Sequence, residues 1–271
     1  MLSRYLYIPP VVGAVACLLT AAITKEYNYA IYAVPCVVGL AVVYILSPQI
    51  DWWWYQSHPP ELPPVLRHLI NTKLPFYQDL SVEDKTRFRN RMAMYMEANE
   101  FMAQGMDDVV PPDVKGIAAA TAVQLTFGHE DYLLNPFEHI VIYPHPFPSP
   151  QHPDQWHVCE HFEEDGVIMF SAEQLVPGFL EPHRFLNIGL YEYARVFKHC
   201  HPAVHFPEIN DSHWPALELV SGFPKEKTIQ YIGLKEIDLT ALATVYYLCF
   251  GERFREQLPV EYRVFSDALK L

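Results

Sequence analysis

The sequence predicts an α+β domain preceded by an N-terminal hairpin of two hydrophobic helices. Two apolar runs fill residues 1–50, helical patterns dominate 65–135 and return towards the carboxyl end, and strand-like segments cluster in 136–175. The predicted organisation is therefore a helical hairpin over 1–50, a linker rich in tryptophan and proline over 51–64, and one folded domain over 65–271.

The first 50 residues have the composition of membrane-spanning helices. No charged residue lies between Arg4 and Lys25, or between Glu26 and Asp51. Each apolar run comes close to the roughly 20 residues that a helix needs to cross a bilayer. Three tryptophans follow at 52–54, where an interfacial aromatic belt is expected. These features predict a transmembrane hairpin.

Two alternatives exist for this hairpin. The first run resembles a signal peptide, but a second span directly after the connector at 25–28 fits poorly with cleavage and release. The two runs also fit buried helices of a soluble protein, although the domain that follows does not lack such helices. Arg4 is the only positive side chain before the first span, and Lys25 is offset by Glu26. The positive-inside rule then favours both ends of the chain in the cytoplasm. The expected location is the cell inner membrane, multi-pass, with a cytoplasmic C-terminal domain.

The charge balance excludes one class of partner. The chain has 19 basic and 32 acidic residues and a formal net charge of -13. Binding to a nucleic-acid backbone requires a basic face. We therefore expect no nucleic-acid partner. The five cysteines show no spacing typical of a disulfide framework, as expected for a domain in a reducing compartment.

The domain divides into helical and strand-like stretches. Helices are predicted over 84–100, 114–126 and 238–250, with a closing helix inside 254–269. Strands are predicted over 140–143, 157–162 and 166–170, with a turn and an exposed strand over 225–233.

A short buried helix over 187–197 has the most informative pattern. Its apolar residues recur at near-helical spacing. Tyr191 and Arg195 are four residues apart and so share one face, with Glu192 beside them. In zinc peptidases this spacing belongs to His-Glu-x-x-His, in which two imidazoles bind the metal and the glutamate activates its water. Here tyrosine and arginine stand at the two ligand positions.

The segments around this helix resemble a known family. The strand and turn over 165–173, the helix that opens at Asn187, the small-residue segment 116–120 and the strand 139–144 resemble the core of the Mlc titration factor A (MtfA) family of zincin-like peptidases. The resemblance covers about residues 60–265. It implies a zincin-like fold, a zinc cofactor and Glu192 as the general base. It also implies that a sheet edge beside the cleft pairs with extended substrate. The family's named partner is a glucose-responsive transcriptional repressor.

The departures from the family pattern at Tyr191 and Arg195 predict that the metal site is lost. A phenol must lose its proton to bind zinc, and arginine stays protonated and offers only donors. Two unit charges about 4 Å apart interact by roughly 4 kcal/mol at an effective dielectric near 20, and a dication doubles this repulsion. The family's third ligand is an acid on a later helix, and the candidate run 239–250 contains none. We therefore expect no zinc, with Arg195 supplying the missing charge beside Glu192. The alternative is a solvated helix pair.

Histidine-rich patches offer a rival metal site. The chain has 13 histidines, with dense patches at 157–161 and 199–205, and Asp211 and His213 further on. On a strand, His157, Cys159 and His161 share a face and could converge. The spacings match no established zinc pattern, so the favoured interpretation is surface and loop histidines.

Three functions fit these observations. The first is a pseudopeptidase, a non-catalytic relative that binds a protein or peptide partner at the membrane. The second is an active zinc-dependent metallopeptidase with displaced ligands. The third is a membrane scaffold subunit with no function in the cleft.

Overall fold

The structure is a computed structural model that describes residues 2–26, 28–105 and 109–271. The chain divides into two compact units, Met1–Pro60 and Glu61–Leu271. The α+β class predicted from the sequence is confirmed, with apolar helices in the first unit and a four-stranded sheet among helices in the second.

The first unit is helical. Its elements are α1 (Ser3–Leu6), α2 (Ile8–Thr24), α3 (Asn28–Ile31) and α4 (Ala33–Ser57). Two stretches, Ser3–Thr24 and Asn28–Ser57, are long and apolar enough to cross a membrane. Most of their large apolar side chains are exposed. Exposed apolar surface on this scale needs a non-aqueous environment, so the two helices favour membrane anchoring.

Ser3 and Asp51, near the two ends of this hairpin, are hydrogen-bonded to each other. Asp51 accepts hydrogen bonds from the backbone N–H of Ser3 at 2.8 Å and from its hydroxyl at 2.7 Å. A 30-residue stretch such as Asn28–Ser57 is about 45 Å long as a helix, which exceeds the roughly 30 Å hydrocarbon core. The end of α4 that contains Asp51 and the three tryptophans therefore fits the interfacial region.

The linker differs from the expectation. We expected it over 51–64, but α4 continues to Ser57 and the next helix begins at Pro64. Residues 51–57 are thus helical, because no proline or glycine interrupts the chain between Pro48 and Pro59. Of the connector predicted at 25–28, Tyr27 lies outside the described residues.

The second unit contains eleven α-helices, one 3₁₀ turn at Asp211–His213 and four strands among its described residues. The helices are α5 (Pro64–Lys73), α6 (Pro75–Asp79), α7 (Val82–Ala98), α8 (Pro112–Thr126), α9 (Ala172–Leu180), α10 (Ile188–Cys200), α11 (Trp214–Ser221), α12 (Lys225–Ile232), α13 (Leu239–Cys249), α14 (Gly251–Gln257) and α15 (Pro259–Leu269). The strands are β1 (Glu100–Ala103), β2 (His139–Tyr143), β3 (Cys159–Phe162) and β4 (Val167–Ser171).

The sheet has the order β1-β2-β4-β3. Strands β1, β2 and β4 are parallel, whereas β3 runs antiparallel to β4 with Cys159 opposite Phe170 and His161 opposite Ile168. Strand β3 is therefore an edge strand, and α10 packs beside it.

Helix α10 lies in the centre of the domain and packs against α8, α9, α13 and strands β3 and β4. Its first turn is capped by the Asn187 side chain, which accepts from the Leu190 N–H at 3.0 Å. Gly189 permits the close approach of its neighbours, because a Cβ there would lie 2.8 Å from a methyl group of Leu175 and 3.1 Å from one of Thr121. The predicted helix over 187–197 is thus observed, buried on nearly every side.

Three segments differ from the sequence-based expectations. The exposed strand expected within 225–233 is helix α12, which buries Thr228 and Ile232 four residues apart and ends at Gly233 with φ 84°. The predicted helix over 84–100 ends at Ala98, and the chain then forms β1. The turn expected after the strand at 165–173 is helix α9.

Candidate functional site

Glu192 is the centre of a buried charge cluster on α10. Its carboxylate has no exposed surface. Nη1 of Arg195, one turn further along, lies 3.0 Å from both carboxylate oxygens. Nδ1 of His161, on edge strand β3, lies 2.5 Å from Oε1. Glu192 is therefore held by one helix neighbour and by one residue from the sheet.

This cluster keeps the carboxylate ionised. Burial alone would raise the pKa of Glu192, but the charge of Arg195 and the hydrogen bond from His161 outweigh it and lower the pKa from 4.5 to about 2. The charge of Glu192 in turn raises the pKa of Arg195 above its usual value, against the effect of burial. The two groups therefore form a permanent ion pair.

Cys159 lies on the same face of β3 as His161. It is fully buried, and burial together with the negative charge of Glu192 raises the pKa of its thiol well above 9.0. A thiol in this environment stays protonated. The raised pKa favours the neutral thiol over the reactive thiolate.

Tyr191 has a structural hydrogen bond. Its ring is 1 % exposed, and burial raises the pKa of its phenol above the usual 10.0. The phenol oxygen accepts from the backbone N–H of Asp238 at 3.0 Å. The phenol of Tyr191, at the first ligand position, thus forms a hydrogen bond with the N-cap residue of α13.

Asp238 is the acid that the sequence analysis missed. We expected the third ligand position within 239–250, where no acid occurs, but the structure brings the residue just before that run to Tyr191. Its carboxylate accepts from Lys198 Nζ at 2.7 Å and from the Ala241 N–H at 2.9 Å. It is engaged in an ion pair and a helix N-cap. An aspartate directly before a helical run is the sequence signal for such a cap.

The histidine patches are not uniformly exposed, which corrects the favoured interpretation of surface and loop histidines. His157 is completely buried, and Nε2 of its ring lies 3.0 Å from Glu160. The side chain of His161 is only 10 % exposed. The suggested convergence of three residues is observed for two, since Cys159 and His161 face Glu192 whereas His157 faces Glu160.

An open cleft of about 370 Å³ lies above the cluster. Its floor includes Arg195 and His161, and its rim carries three exposed carboxylates. The lining residues are Gln151, His161, Phe162, Glu163, Glu164, Asp165 and Arg195. His199 lies beside the rim, with Nδ1 3.0 Å from Glu163.

The zinc site implied by the resemblance does not fit these residues. One ligand position holds a buried phenol bonded to the backbone, and the other holds a cation paired with Glu192. Within the described ranges, no group of three or more His, Cys, Asp or Glu side chains is placed to hold a metal ion. The arrangement offers a permanent ion pair where the peptidase chemistry requires a dication.

No curated protein matches the chain. A family model described as glucose-regulated metallo-peptidase M90 matches residues 50–200, a span that contains the whole sheet, Tyr191, Glu192 and Arg195. Because this match covers more than half of the 271 residues, the chain belongs to the glucose-regulated metallo-peptidase M90 family, that of Mlc titration factor A.

Proposed function

We propose that this protein is a membrane-anchored pseudopeptidase that does not hydrolyse peptides and instead binds an extended protein segment in its cleft. The observation that carries the proposal is the position of Arg195, whose Nη1 lies 3.0 Å from both oxygens of Glu192. A guanidinium in this position repels a dication and occupies the carboxylate that would activate water.

The acid–base properties of Glu192 support the same proposal. A general base works best with a pKa near the operating pH. The pKa of Glu192 is about 2, so its carboxylate is a weak proton acceptor. Both of its oxygens are also engaged by Arg195, and one is engaged by His161. The geometry therefore suits a stable charge cluster better than a catalytic base.

The edge of the sheet supports the binding function. Strand β3 has a strand partner only on its β4 side in the described part of the chain, and it borders the cleft through His161 and Phe162. Cys159 and Glu160 are buried, so the part of this edge that is open to an added strand is its His161–Phe162 end. Main-chain hydrogen bonds to an added strand give affinity. The proposed ligand is thus a protein or peptide segment that extends along β3.

The location is part of the proposal. The two N-terminal helices anchor the chain in the inner membrane as a multi-pass hairpin, with both ends in the cytoplasm. The weak bias of positive charge, Arg4 before the first span and Lys25 offset by Glu26 after it, favours this orientation. The ligand of the cleft would then be a cytoplasmic protein.

Assays of hydrolysis test the loss of catalysis. The full chain, purified in lipid nanodiscs, is incubated with a quenched fluorescent peptide library, with added Zn²⁺ or with a chelator. The variant Glu192→Gln gives the background of contaminating peptidases. We expect equal rates for both proteins under all conditions. Cleavage that requires metal and disappears in Glu192→Gln would establish the rival function, an active metallopeptidase with displaced ligands.

A further inference from the structure

The proline-rich loop between β2 and β3, residues 144–156, has few main-chain hydrogen bonds to the sheet. Five of its 13 residues are prolines, which have no N–H to donate. At the base of the loop, Phe147 and His157 exchange two backbone hydrogen bonds of 3.0 Å. Further along, the loop brings Gln151 to the wall of the cleft. The position of this wall therefore depends on what holds His157 in place.

The ring of His157 is buried between two hydrogen-bond acceptors. Its side chain has no exposed surface, and that of Glu160 is only 4 % exposed. Nδ1 of the ring lies 3.0 Å from the carbonyl oxygen of Gln155, and Nε2 lies 3.0 Å from Oε2 of Glu160. A carbonyl oxygen can only accept, so Nδ1 must donate a proton. A neutral imidazole has just one N–H, so the contact between Nε2 and Glu160 needs a second proton.

This second proton resides on the ring of His157. Burial would raise the pKa of Glu160, but the hydrogen bonds from His157 and Ser149, together with the charge of His157, outweigh it and lower the pKa below its usual 4.5. Glu160 is therefore a carboxylate. His157 carries the positive charge of a buried ion pair.

One further imidazole and one thiol lie near this pair. Nε2 of His152, on the loop, is 3.7 Å from Oε1 of Glu160, and Cys159 is a buried neutral thiol on β3. Strand β4 and helix α12 meet the segment through main-chain hydrogen bonds of Val158. His152 is thus the second histidine whose titration a test must separate from that of His157.

We propose that His157 and Glu160 form a proton-dependent latch that holds the 144–156 loop against the sheet and so fixes one wall of the cleft. While the ring carries two protons, both of its contacts are hydrogen bonds. When the ring releases one proton to solvent, one of its lone pairs faces an acceptor at 3.0 Å and the buried carboxylate loses its partner. The base of the loop then opens, and the segment that carries Gln151 is released. This device acts whatever segment the cleft binds.

The test is hydrogen–deuterium exchange of the full chain in lipid nanodiscs from about pH 6 to about pH 9, which covers the loss of a histidine proton. Labelling times are scaled to the intrinsic exchange rate at each pH, and mass spectrometry follows peptides that cover residues 144–158. We expect the protection of these peptides to fall by about tenfold across the range, as the loss of one buried hydrogen bond shifts a local opening equilibrium. Peptides of α10 should keep their protection.

Three variants assign the effect to the pair. In Glu160→Gln the amide can donate to Nε2 of a neutral ring while Nδ1 still donates to Gln155, so the loop should stay protected at every pH. His152→Gln removes the other imidazole and should keep the wild-type pH dependence. Glu100→Gln is the matched control, since Glu100 lies 3.3 Å from His139 but the two side chains are 66 % and 42 % exposed. This control should also keep the wild-type pH dependence.

Three results would overturn the latch. They are protection of the loop that does not change with pH in the wild type, an equal fall in Glu160→Gln, and loss of the pH dependence in His152→Gln. His157→Gln keeps the test decisive if Glu160→Gln fails to fold, because it removes the titrating ring itself. The loop of His157→Gln should exchange alike at every pH, and a remaining tenfold dependence would overturn the proposal.

Discussion

Replacing Arg195 with leucine tests whether its guanidinium holds the charge of Glu192. The substitution keeps the aliphatic bulk of the side chain but leaves a carboxylate with no exposed surface beside His161 and a protonated thiol. Breaking a buried ion pair by removing one partner typically costs about 3–5 kcal/mol. Because His161 still reaches Oε1 and Arg195 is 25 % exposed, we expect the lower end, about 3 kcal/mol.

The pKa of Glu192 gives the same magnitude. A fall from 4.5 to about 2 in the folded protein corresponds to about 3 kcal/mol of preference for the ionised form. Part of this preference comes from His161. Both values describe one cluster and are not additive.

The assay is thermal unfolding of the full chain, followed by near-ultraviolet circular dichroism. For a domain of this size, about 3 kcal/mol corresponds to a fall in Tm of roughly 6–12 °C. Arg184→Leu is the matched control, since Arg184 faces Glu181 at the same spacing but the two side chains are 72 % and 55 % exposed. We expect the control to lose no more than about 0.5 kcal/mol. A Tm of Arg195→Leu within about 1 °C of the control would refute the buried ion pair and favour a solvated one.

Further predictions concern stability at low pH, the phenol of Tyr191 and the membrane association of the N-terminal helices. The folded pKa of Glu192 is depressed to about 2, so the stability that its ionised form gives the folded domain is present above about pH 4.5 and is lost as the pH falls towards 2. The difference in unfolding free energy between wild type and Glu192→Gln should therefore narrow from about pH 5 to pH 3. A constant difference would contradict this prediction. Tyr191→Phe removes the partner of the partly buried N–H of Asp238 and should cost about 1–2 kcal/mol in thermal unfolding, more than Lys198→Met, whose ion pair with Asp238 is partly exposed. The reverse order would show that the phenol is dispensable. The full chain should stay in the membrane pellet after alkaline carbonate extraction, whereas a variant without residues 1–50 should be released; release of the full chain would contradict anchoring.

Local patterns predicted much of this molecule. The two apolar runs, the helix over 187–197 with its Asn187 cap, and the strands near 140–143 and 166–170 all appear in the structure. Each depends on periodicity or capping within a few residues. The helix α12 was missed although Gly233 marks its end, since the short Lys225–Ile232 segment has too few apolar residues to show a clear period.

Prediction of the site would have required knowing the contacts between residues that are distant in the sequence. Strand alternation placed Cys159 and His161 on one face, but which element that face meets depends on β3 being the antiparallel edge strand beside α10. The partnership of His161 with Glu192 joins residues 31 apart, and that of Tyr191 with Asp238 joins residues 47 apart. No local pattern contains such information.

The content of bound zinc tests the central claim most directly. The full chain is equilibrated with excess Zn²⁺, dialysed against metal-free buffer and analysed by plasma mass spectrometry, with Glu192→Ala as the comparison. Because Arg195 supplies the positive charge beside Glu192, we predict far less than one zinc ion per chain in both proteins. One ion per wild-type chain that is absent from Glu192→Ala would contradict the account.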